Sequence, residues 1–170
     1  MAVDLAQIIP PLVRAKVDFI LIGGMAAILH GSARVTFDVD LVYSRTDESI
    51  QRLANALAPH NPYLRDTPSA LPFVWNATIR SGLNFTLTTN LGDVDLFGEV
   101  AGGETYPDLL PHSFDVDAFG VRFKCIDLPT LIRIKETAGR NKDREAVAEL
   151  RVLLEESHKK EVQNSLEMSF

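Results

Sequence analysis

The chain has 170 residues, 46% of them hydrophobic, which suits one compact domain with a buried core. Its formal net charge of −6 argues against broad binding to duplex nucleic acid, because such binding depends on many Lys and Arg side chains that neutralise phosphates. No run of the sequence approaches the roughly 18 apolar residues of a membrane span, and Asp4 stands where a secretory signal carries positive charge, so we expect a cytoplasmic protein without a membrane partner.

The first elements along the chain are a helix and a buried strand. Residues 4 to 16 predict a helix that is interrupted or restarted at Pro10-Pro11, because proline cannot donate the helix hydrogen bond. Residues 19 to 22 form a short apolar run that is typical of a buried strand. Gly23-Gly24 then lets the backbone turn sharply towards a ligand, and the short helix predicted after it offers free N–H groups to an anion. The alternative is an ordinary strand-to-helix turn.

The second strand, predicted within residues 36 to 43, carries two carboxylates. Asp38 and Asp40 are two residues apart and therefore point to the same face of the strand. Adjacent carboxylates repel each other unless a cation lies between them, and Mg²⁺ is the usual cation because it takes oxygen ligands and bridges them to substrate phosphates. The alternative is the solvent face of a half-buried strand.

The Asp-Val-Asp triplet occurs twice more. Asp93-Val94-Asp95 lies in a strand pattern that we expect beside the first acidic strand, where it can supply the third carboxylate of a two-metal site. Asp115-Val116-Asp117 precedes a turn and another strand-like run, so we expect a hairpin with exposed acids. Cys125, in that run, is the single cysteine, which excludes an internal disulfide and favours an inert packed thiol.

The remaining segments connect or follow the strands. Thr46 is expected to cap a helix that runs to about Ala58, and the proline-rich stretch from His60 to Pro72 predicts an irregular loop that shapes the substrate cleft. Residues 98 to 111 are a second long connection. A final amphipathic helix ends near residue 155, after which the polar residues 156 to 170 are expected to fray. We therefore predict a single domain over residues 1–155, with 127–155 as its C-terminal helical part.

The sequence resembles the nucleotidyltransferase superfamily typified by DNA polymerase beta. The resemblance lies in the glycine pair, the Asp-x-Asp motif and the later Asp on a predicted strand. More narrowly, the sequence is similar to small bacterial AbiEii-type nucleotidyltransferase-like proteins, whose best-known members are toxins of toxin–antitoxin pairs. This resemblance covers roughly residues 15 to 155. It implies an α/β (α+β) fold with a mixed sheet, flanking helices and a C-terminal helical segment. The residues that carry it are Gly23-Gly24-Met25-Ala26, His30-Gly31, Arg34-Val35-Thr36, Asp38 to Leu41, Asp127 to Ile132, Lys135, Gly139-Arg140, Lys142-Asp143 and Leu150.

The resemblance also implies roles for individual residues. Asp38 and Asp40 hold Mg²⁺ or Mn²⁺, and Gly23-Gly24 cradles the triphosphate of a nucleoside triphosphate. Asp95 completes the carboxylate triad, with Asp93 as the competing candidate. We prefer Asp95 because apolar residues flank it on both sides, whereas a glycine precedes Asp93.

Two further residues match the C-terminal segment of the family. Lys135 corresponds to a phosphate-facing lysine and Asp143, less closely, to a supporting acid. Lys135 can equally be the wet side of an amphipathic helix, and Asp143 can stabilise the start of a helix that Asn141 caps. The segment from residue 133 to 144 is locally basic, which suits contact with a triphosphate or an RNA end but also a solvated connection.

The leading hypothesis is metal-dependent transfer of a nucleoside monophosphate to an acceptor. A tRNA end, a small molecule such as an antibiotic, a protein hydroxyl and a nucleotide are all candidate acceptors, and an antitoxin is a candidate partner. The second hypothesis is a catalytically silent module of this fold that binds a partner protein. A dinucleotide-dependent oxidoreductase is disfavoured because the G-x-G-x-x-G pattern is absent. His30 lacks a Cys or His partner at metal-ligand spacing and is expected to be a packing or capping residue.

Overall fold

The architecture is a seven-stranded mixed sheet with flanking helices, seen in a computed structural model that describes residues 3–67, 73 and 80–169. The predicted fold class is therefore confirmed. The helices are α1 (Leu5–Arg14), α2 (Gly23–Leu29), α3 (Asp47–Leu57), α4 (Tyr106–Leu109), α5 (Leu128–Ala138) and α6 (Asn141–Met168). The strands are β1 (Phe19–Ile22), β2 (Asp38–Tyr43), β3 (Tyr63–Leu64), β4 (Asn84–Thr89), β5 (Gly92–Phe97), β6 (Ser113–Ala118) and β7 (Val121–Ile126).

The two acidic strands lie side by side in the middle of the sheet. The strand order is β3-β4-β5-β2-β1-β7-β6, so β2 has β1 on one side and β5 on the other. β2 and β5 run parallel, with Asp38 opposite Asp93 and Asp40 opposite Asp95. The expectation that the second Asp-Val-Asp strand lies beside the first is confirmed.

The core packs helices against this sheet. All four residues of β1 are buried, as expected for a short apolar run in the centre of a sheet. α5 and α6, which form the C-terminal helical segment, pack on each other and bury a set of apolar residues: Leu128, Leu131, Ile132, Ile134, Ala146, Val147 and Leu150. Burial of each large aliphatic side chain contributes about 1.5–3 kcal/mol, which holds these helices to the common core.

Helix α1 does not break at the prolines, so the predicted interruption at Pro10-Pro11 is wrong. The Asp4 side chain caps the start of the helix by accepting from Ala6 N at 2.9 Å, and at its end Ala15 N donates to Pro11 O at 3.1 Å. Ile8, Ile9 and Leu12 lie on the buried face of the helix. Burial of this face offsets the bonds that the prolines cannot make.

The end of the chain also differs from the expectation, because α6 continues through residues 156–168 instead of fraying. Residues 158–169 are exposed, so packing does not hold this part of the helix. Glu, Lys, Gln and Leu are good helix formers, and Gln163 donates to Glu167 one turn away at 2.8 Å. Among the described residues, no helix has both the length and the apolar character that crossing a bilayer requires.

Three other predictions have clear outcomes. Thr46 caps α3, where its side chain accepts from Ser49 N. Asp115 and Asp117 lie on the β6–β7 hairpin, where they pair with Lys124 and Arg122 respectively. The prediction of a hairpin with exposed acids is therefore confirmed. The predicted loop from His60 to Pro72 contains the short strand β3, and its residues 68–72 lie outside the described part of the chain.

Candidate active site

Three carboxylates converge on one face of the sheet. Asp38 and Asp40 alternate with buried Val39 on β2, while Asp95 comes from the parallel strand β5. One carboxylate oxygen from each of the three lies within 4.8 Å of the other two, and all three residues are half-buried. The register between β2 and β5 produces this cluster, since residues two apart on one strand share a face and Asp95 lies directly opposite Asp40.

Gly23 allows the chain to pass close to this cluster. Its φ is +69°, a conformation that favours glycine, and a Cβ built on it would overlap Asp40 Oδ2 and lie 2.7 Å from Asp40 Cγ. A Cβ on Gly24 would lie 2.8 Å from Thr36 Cβ. The close approach of the backbone to Asp40 and to Thr36 therefore requires both glycines.

Thr36 orients one of the acids. Its hydroxyl donates to Asp38 Oδ1 at 3.1 Å from the segment that precedes β2. Sequence reasoning did not identify this role. A Thr two residues before an acid is a weak signal, because the bond depends on the path of the chain into the strand.

Arg65 is the second residue that sequence reasoning missed. Its guanidinium lies 2.8 Å from Asp95 Oδ1 and 3.2 Å from Asp93 Oδ2, and it donates to the Leu87 carbonyl at 2.8 Å. Asp93 also accepts from the Thr88 hydroxyl at 2.9 Å. Arg65 therefore contacts both acids, and Asp95 is the one whose carboxylate oxygen also lies within the cluster with Asp38 and Asp40.

The electrostatics of the cluster favour binding of a cation. Burial raises the pKa of Asp40 to about 7, and repulsion from Asp38 and Asp95 adds to this shift. Burial also raises the pKa of Asp95, although the charge of Arg65 opposes the change. A divalent cation removes the repulsion and the desolvation cost together, and carboxylate oxygens are the ligands that Mg²⁺ and Mn²⁺ prefer.

Cationic side chains and the acidic cluster together line a cavity of about 400 Å³. Asp38, Asp40 and Asp95 line it together with Gly24, and its cationic lining residues are Arg34, Lys135, Arg140 and Lys142. Burial lowers the pKa of Lys135, while the charges of Asp143 and Asp40 act in the opposite direction. A cavity that pairs an acidic cluster with four cations is suited to a metal-bound polyanion.

Asp143 has a structural role in addition to its place in the cavity wall. It is buried at the start of α6 and accepts from Arg140 N at 3.2 Å and from Arg140 Nε at 2.7 Å. Although burial raises its pKa, the hydrogen bonds and charge of Arg140 hold the pKa below its ordinary value. The cap of α6 is Arg140 rather than the predicted Asn141.

No family model matches the sequence, and no curated protein is similar enough to match it. Solved structures do match. The chain is similar to the lincosamide antibiotic adenylyltransferase LnuA with lincomycin bound, with a TM-score of 0.58 and 14% identity over 88% of this chain and 95% of that one. It is also similar to a proposed nucleotidyltransferase of Thermotoga maritima, with a TM-score of 0.55 and 18% identity over 89% of this chain and 91% of that one. The chain has a nucleotidyltransferase fold.

Within this nucleotidyltransferase fold, the remaining polar candidates lie apart from the acidic cluster. The His30 ring donates from Nε2 to the Ile126 carbonyl at 2.8 Å and packs edge-on against Phe114, as expected of a packing residue. Cys125 is buried, as predicted for a packed thiol, and burial raises the pKa of its thiol to about 12.

Proposed function

We propose that this chain is a metal-dependent nucleotidyltransferase that moves a nucleoside monophosphate from a nucleoside triphosphate to an acceptor. The observation that carries the proposal is the convergence of Asp38, Asp40 and Asp95 on a cavity lined by four cations. The likeness to two nucleotidyltransferase structures supports the same reaction class.

The donor set suits Mg²⁺ or Mn²⁺. Asp38, Asp40 and Asp95 offer three carboxylate oxygens within 4.8 Å of one another, and hard oxygen ligands are those that these ions bind. A bound metal neutralises phosphate charge and lowers the pKa of an attacking hydroxyl. Thr36 and Arg65 orient Asp38 and Asp95 from outside the cluster.

Residues of the chain assist the transfer of the nucleotidyl group. The acceptor oxygen bonds to the α-phosphorus, the bond to the bridging oxygen breaks, and pyrophosphate leaves. The Asp95 carboxylate accepts the proton of the acceptor hydroxyl. Lys135, with Arg140 and Lys142 beside it, stabilises the charge that develops on the departing phosphates. Gly23-Gly24 brings the backbone close enough to cradle the triphosphate.

Two kinds of acceptor, each with its own biological role, are compatible with this reaction. The similarity of the sequence to AbiEii-type proteins supports a toxin of a toxin–antitoxin pair, with a tRNA end or a protein as acceptor and an antitoxin as partner. The likeness to an adenylyltransferase that acts on lincosamide antibiotics supports a small-molecule acceptor instead. Incubation with labelled nucleotide and each acceptor class separates the two, because the label is transferred to only one of them.

A second candidate function is a silent module that binds a partner protein. The exposed apolar residues of α6 favour it: Val152, Val162, Leu166 and Met168. In this case no nucleotide is turned over, and Asp38 serves no chemistry.

Calorimetric titration with the four nucleoside triphosphates, with and without Mg²⁺, tests the leading proposal. We expect Mg²⁺-dependent binding that Asp38→Ala abolishes without unfolding the protein. Asp115→Ala is the matched control, because it removes one acid of the exposed Asp-Val-Asp on the hairpin. Equal binding by both variants contradicts the assigned site, and absence of nucleotide binding by the unmodified protein favours the silent module.

A further inference from the structure

A second cavity adjoins the cation-lined one. Its volume is about 390 Å³, and Asp40, Phe97, Lys135 and Arg140 line both cavities. Gly24 faces the first cavity and Gly23 faces the second. The two spaces therefore meet at the acidic cluster and the glycine pair.

The chemistry of the two cavities differs. The first contains three acids of the cluster and four cations, as described above. Apart from the shared residues and Gly23, the second is lined by aliphatic side chains: Ile22, Val100, Ala101, Leu131, Ile134 and Ala138. Phe97, the aromatic residue among those that line the second cavity, follows Asp95 by two positions on β5 and so shares its face of the sheet.

The turn after β5 forms one wall of the second cavity through Val100 and Ala101. Val100 N donates to Glu104 O at 2.9 Å, and Gly103 N donates to Val100 O at 3.0 Å. Glu104 then pairs with Arg133 of α5 at 2.7 Å, which fastens the turn to the helix that forms the opposite wall. A wall fixed in this way loses little freedom when a ligand enters, so the cavity is preorganised.

We infer that the second cavity receives the base of the donor nucleotide while the first receives its triphosphate; this inference rests on the proposed function. A nucleoside triphosphate joins a polyanion to a flat aromatic base whose faces can pack on apolar side chains, and the two adjoining cavities offer a charged space beside a mainly aliphatic one. The aromatic ring of Phe97 provides a face on which a base can stack.

The aliphatic lining also determines which bases bind best. Aliphatic walls select by shape and buried area rather than by hydrogen bonds, so a purine, which buries more surface, binds more tightly than a pyrimidine. Adenine and guanine differ in polar edge groups, to which aliphatic side chains cannot form hydrogen bonds. The donor class is therefore a purine nucleoside triphosphate with little preference between ATP and GTP.

The test compares inorganic tripolyphosphate with ATP, GTP, CTP and UTP by calorimetry in Mg²⁺. Ala138→Leu and Ala101→Leu narrow the second cavity from two different walls, and Ala148→Leu is a matched control on an exposed face of α6. We expect the purine nucleotides to bind most tightly. Each cavity variant should weaken their binding roughly tenfold or more, towards that of tripolyphosphate, which should itself be unchanged. The control should match the unmodified protein.

Two results would overturn the inference in distinguishable ways. If tripolyphosphate binds as tightly as ATP, or if both folded cavity variants keep full ATP affinity, the second cavity does not hold the base and the apolar part of an acceptor is the better occupant. If neither tripolyphosphate nor any nucleotide binds, the proposed function fails together with the inference. Thermal unfolding of each variant shows whether it is folded, and Ala101, on an exposed turn, provides a substitution that does not disturb a helix.

Discussion

Arg65 Nη2 lies 2.8 Å from Asp95 Oδ1, so one member of the acidic cluster is already paired with a cation of the protein itself. The same guanidinium lies 3.2 Å from Asp93, and the Arg65 side chain is only 22% exposed. Arg65 thus bridges Asp95, which belongs to the cluster, and Asp93, which does not. It offsets part of the repulsion that strands β2 and β5 create by aligning their carboxylates.

Replacing Arg65 by Gln should destabilise the protein by about 2 kcal/mol near pH 7, because it leaves two half-buried carboxylates without their cation. A double-mutant cycle with Asp95→Asn, measured by urea unfolding, should show a coupling of about 1 kcal/mol or more. Mg²⁺ should recover part of the loss, since it supplies a replacement charge.

The matched control for this cycle is Arg122→Gln. Arg122 pairs with Asp117 on the exposed hairpin, where both side chains are about two-thirds exposed at 65% and 69%. An exposed pair of this kind contributes little, so any change in the stability of the variant should be within the error of the urea measurement. A coupling between Arg65 and Asp95 no larger than this would show that the pair does not stabilise the cluster.

Asp40 should make the metal-free protein less stable as the pH rises. Its pKa is raised from 3.8 to about 7, so between these values the unfolded chain releases the proton while the folded protein retains it. The contribution of Asp40 to stability therefore falls as pH rises from about 4 to 7 and stays low above 7. Asp40→Asn should leave stability unchanged near pH 4 and increase it by about 2–4 kcal/mol at pH 8. Urea unfolding at both pH values measures the difference.

The same proton should compete with a metal ion for Asp40. Below pH 7 the carboxyl is protonated in the metal-free protein, so the affinity for Mn²⁺ should fall roughly tenfold for each pH unit. Paramagnetic titration between pH 5.5 and 8.5 follows this dependence. A flat profile would mean that Asp40 is not a ligand.

Sequence patterns were sufficient for the acidic strands because each depends on local signals. The period of two places Asp38 and Asp40 on one face, and the apolar neighbours of Asp95 indicate a strand that buries the face opposite its acids. The parallel register of β2 and β5 turns these local patterns into a cluster, and the choice between Asp93 and Asp95 agrees with the observed grouping.

Contacts over long sequence distances could not be predicted in this way. Arg65 lies 30 residues before Asp95 in a segment without periodicity, and its role depends on β3 pairing with β4. Helix α1 keeps its course past Pro10 because tertiary packing offsets the missing bonds, which a local rule for proline does not include. The ion pair between Glu104 and Arg133 likewise depends on how the turn after β5 packs against α5, which no local pattern predicts.

Thr36→Val should weaken Mn²⁺ binding about 10- to 100-fold without affecting the fold. The valine keeps the shape of the side chain but cannot donate to Asp38, whose carboxylate then loses its fixed orientation. Thr88→Val is the control, because it removes the equivalent bond to Asp93, the acid outside the cluster. Equal losses of Mn²⁺ affinity in the two variants would contradict the assignment of Asp38, and not Asp93, as a metal ligand.

Gly23→Ala should abolish metal and nucleotide binding, because the new Cβ would displace Asp40 from the cluster. Gly120→Ala separates this effect from backbone strain. Gly120 has a φ of +73°, close to the +69° of Gly23, but a Cβ there meets nothing within 4 Å. Both variants should lose about 1–2 kcal/mol of stability from the left-handed conformation, and only Gly23→Ala should lose binding. If Gly23→Ala bound Mn²⁺ and nucleotide as Gly120→Ala does, the close approach of the backbone to Asp40 would have no functional role.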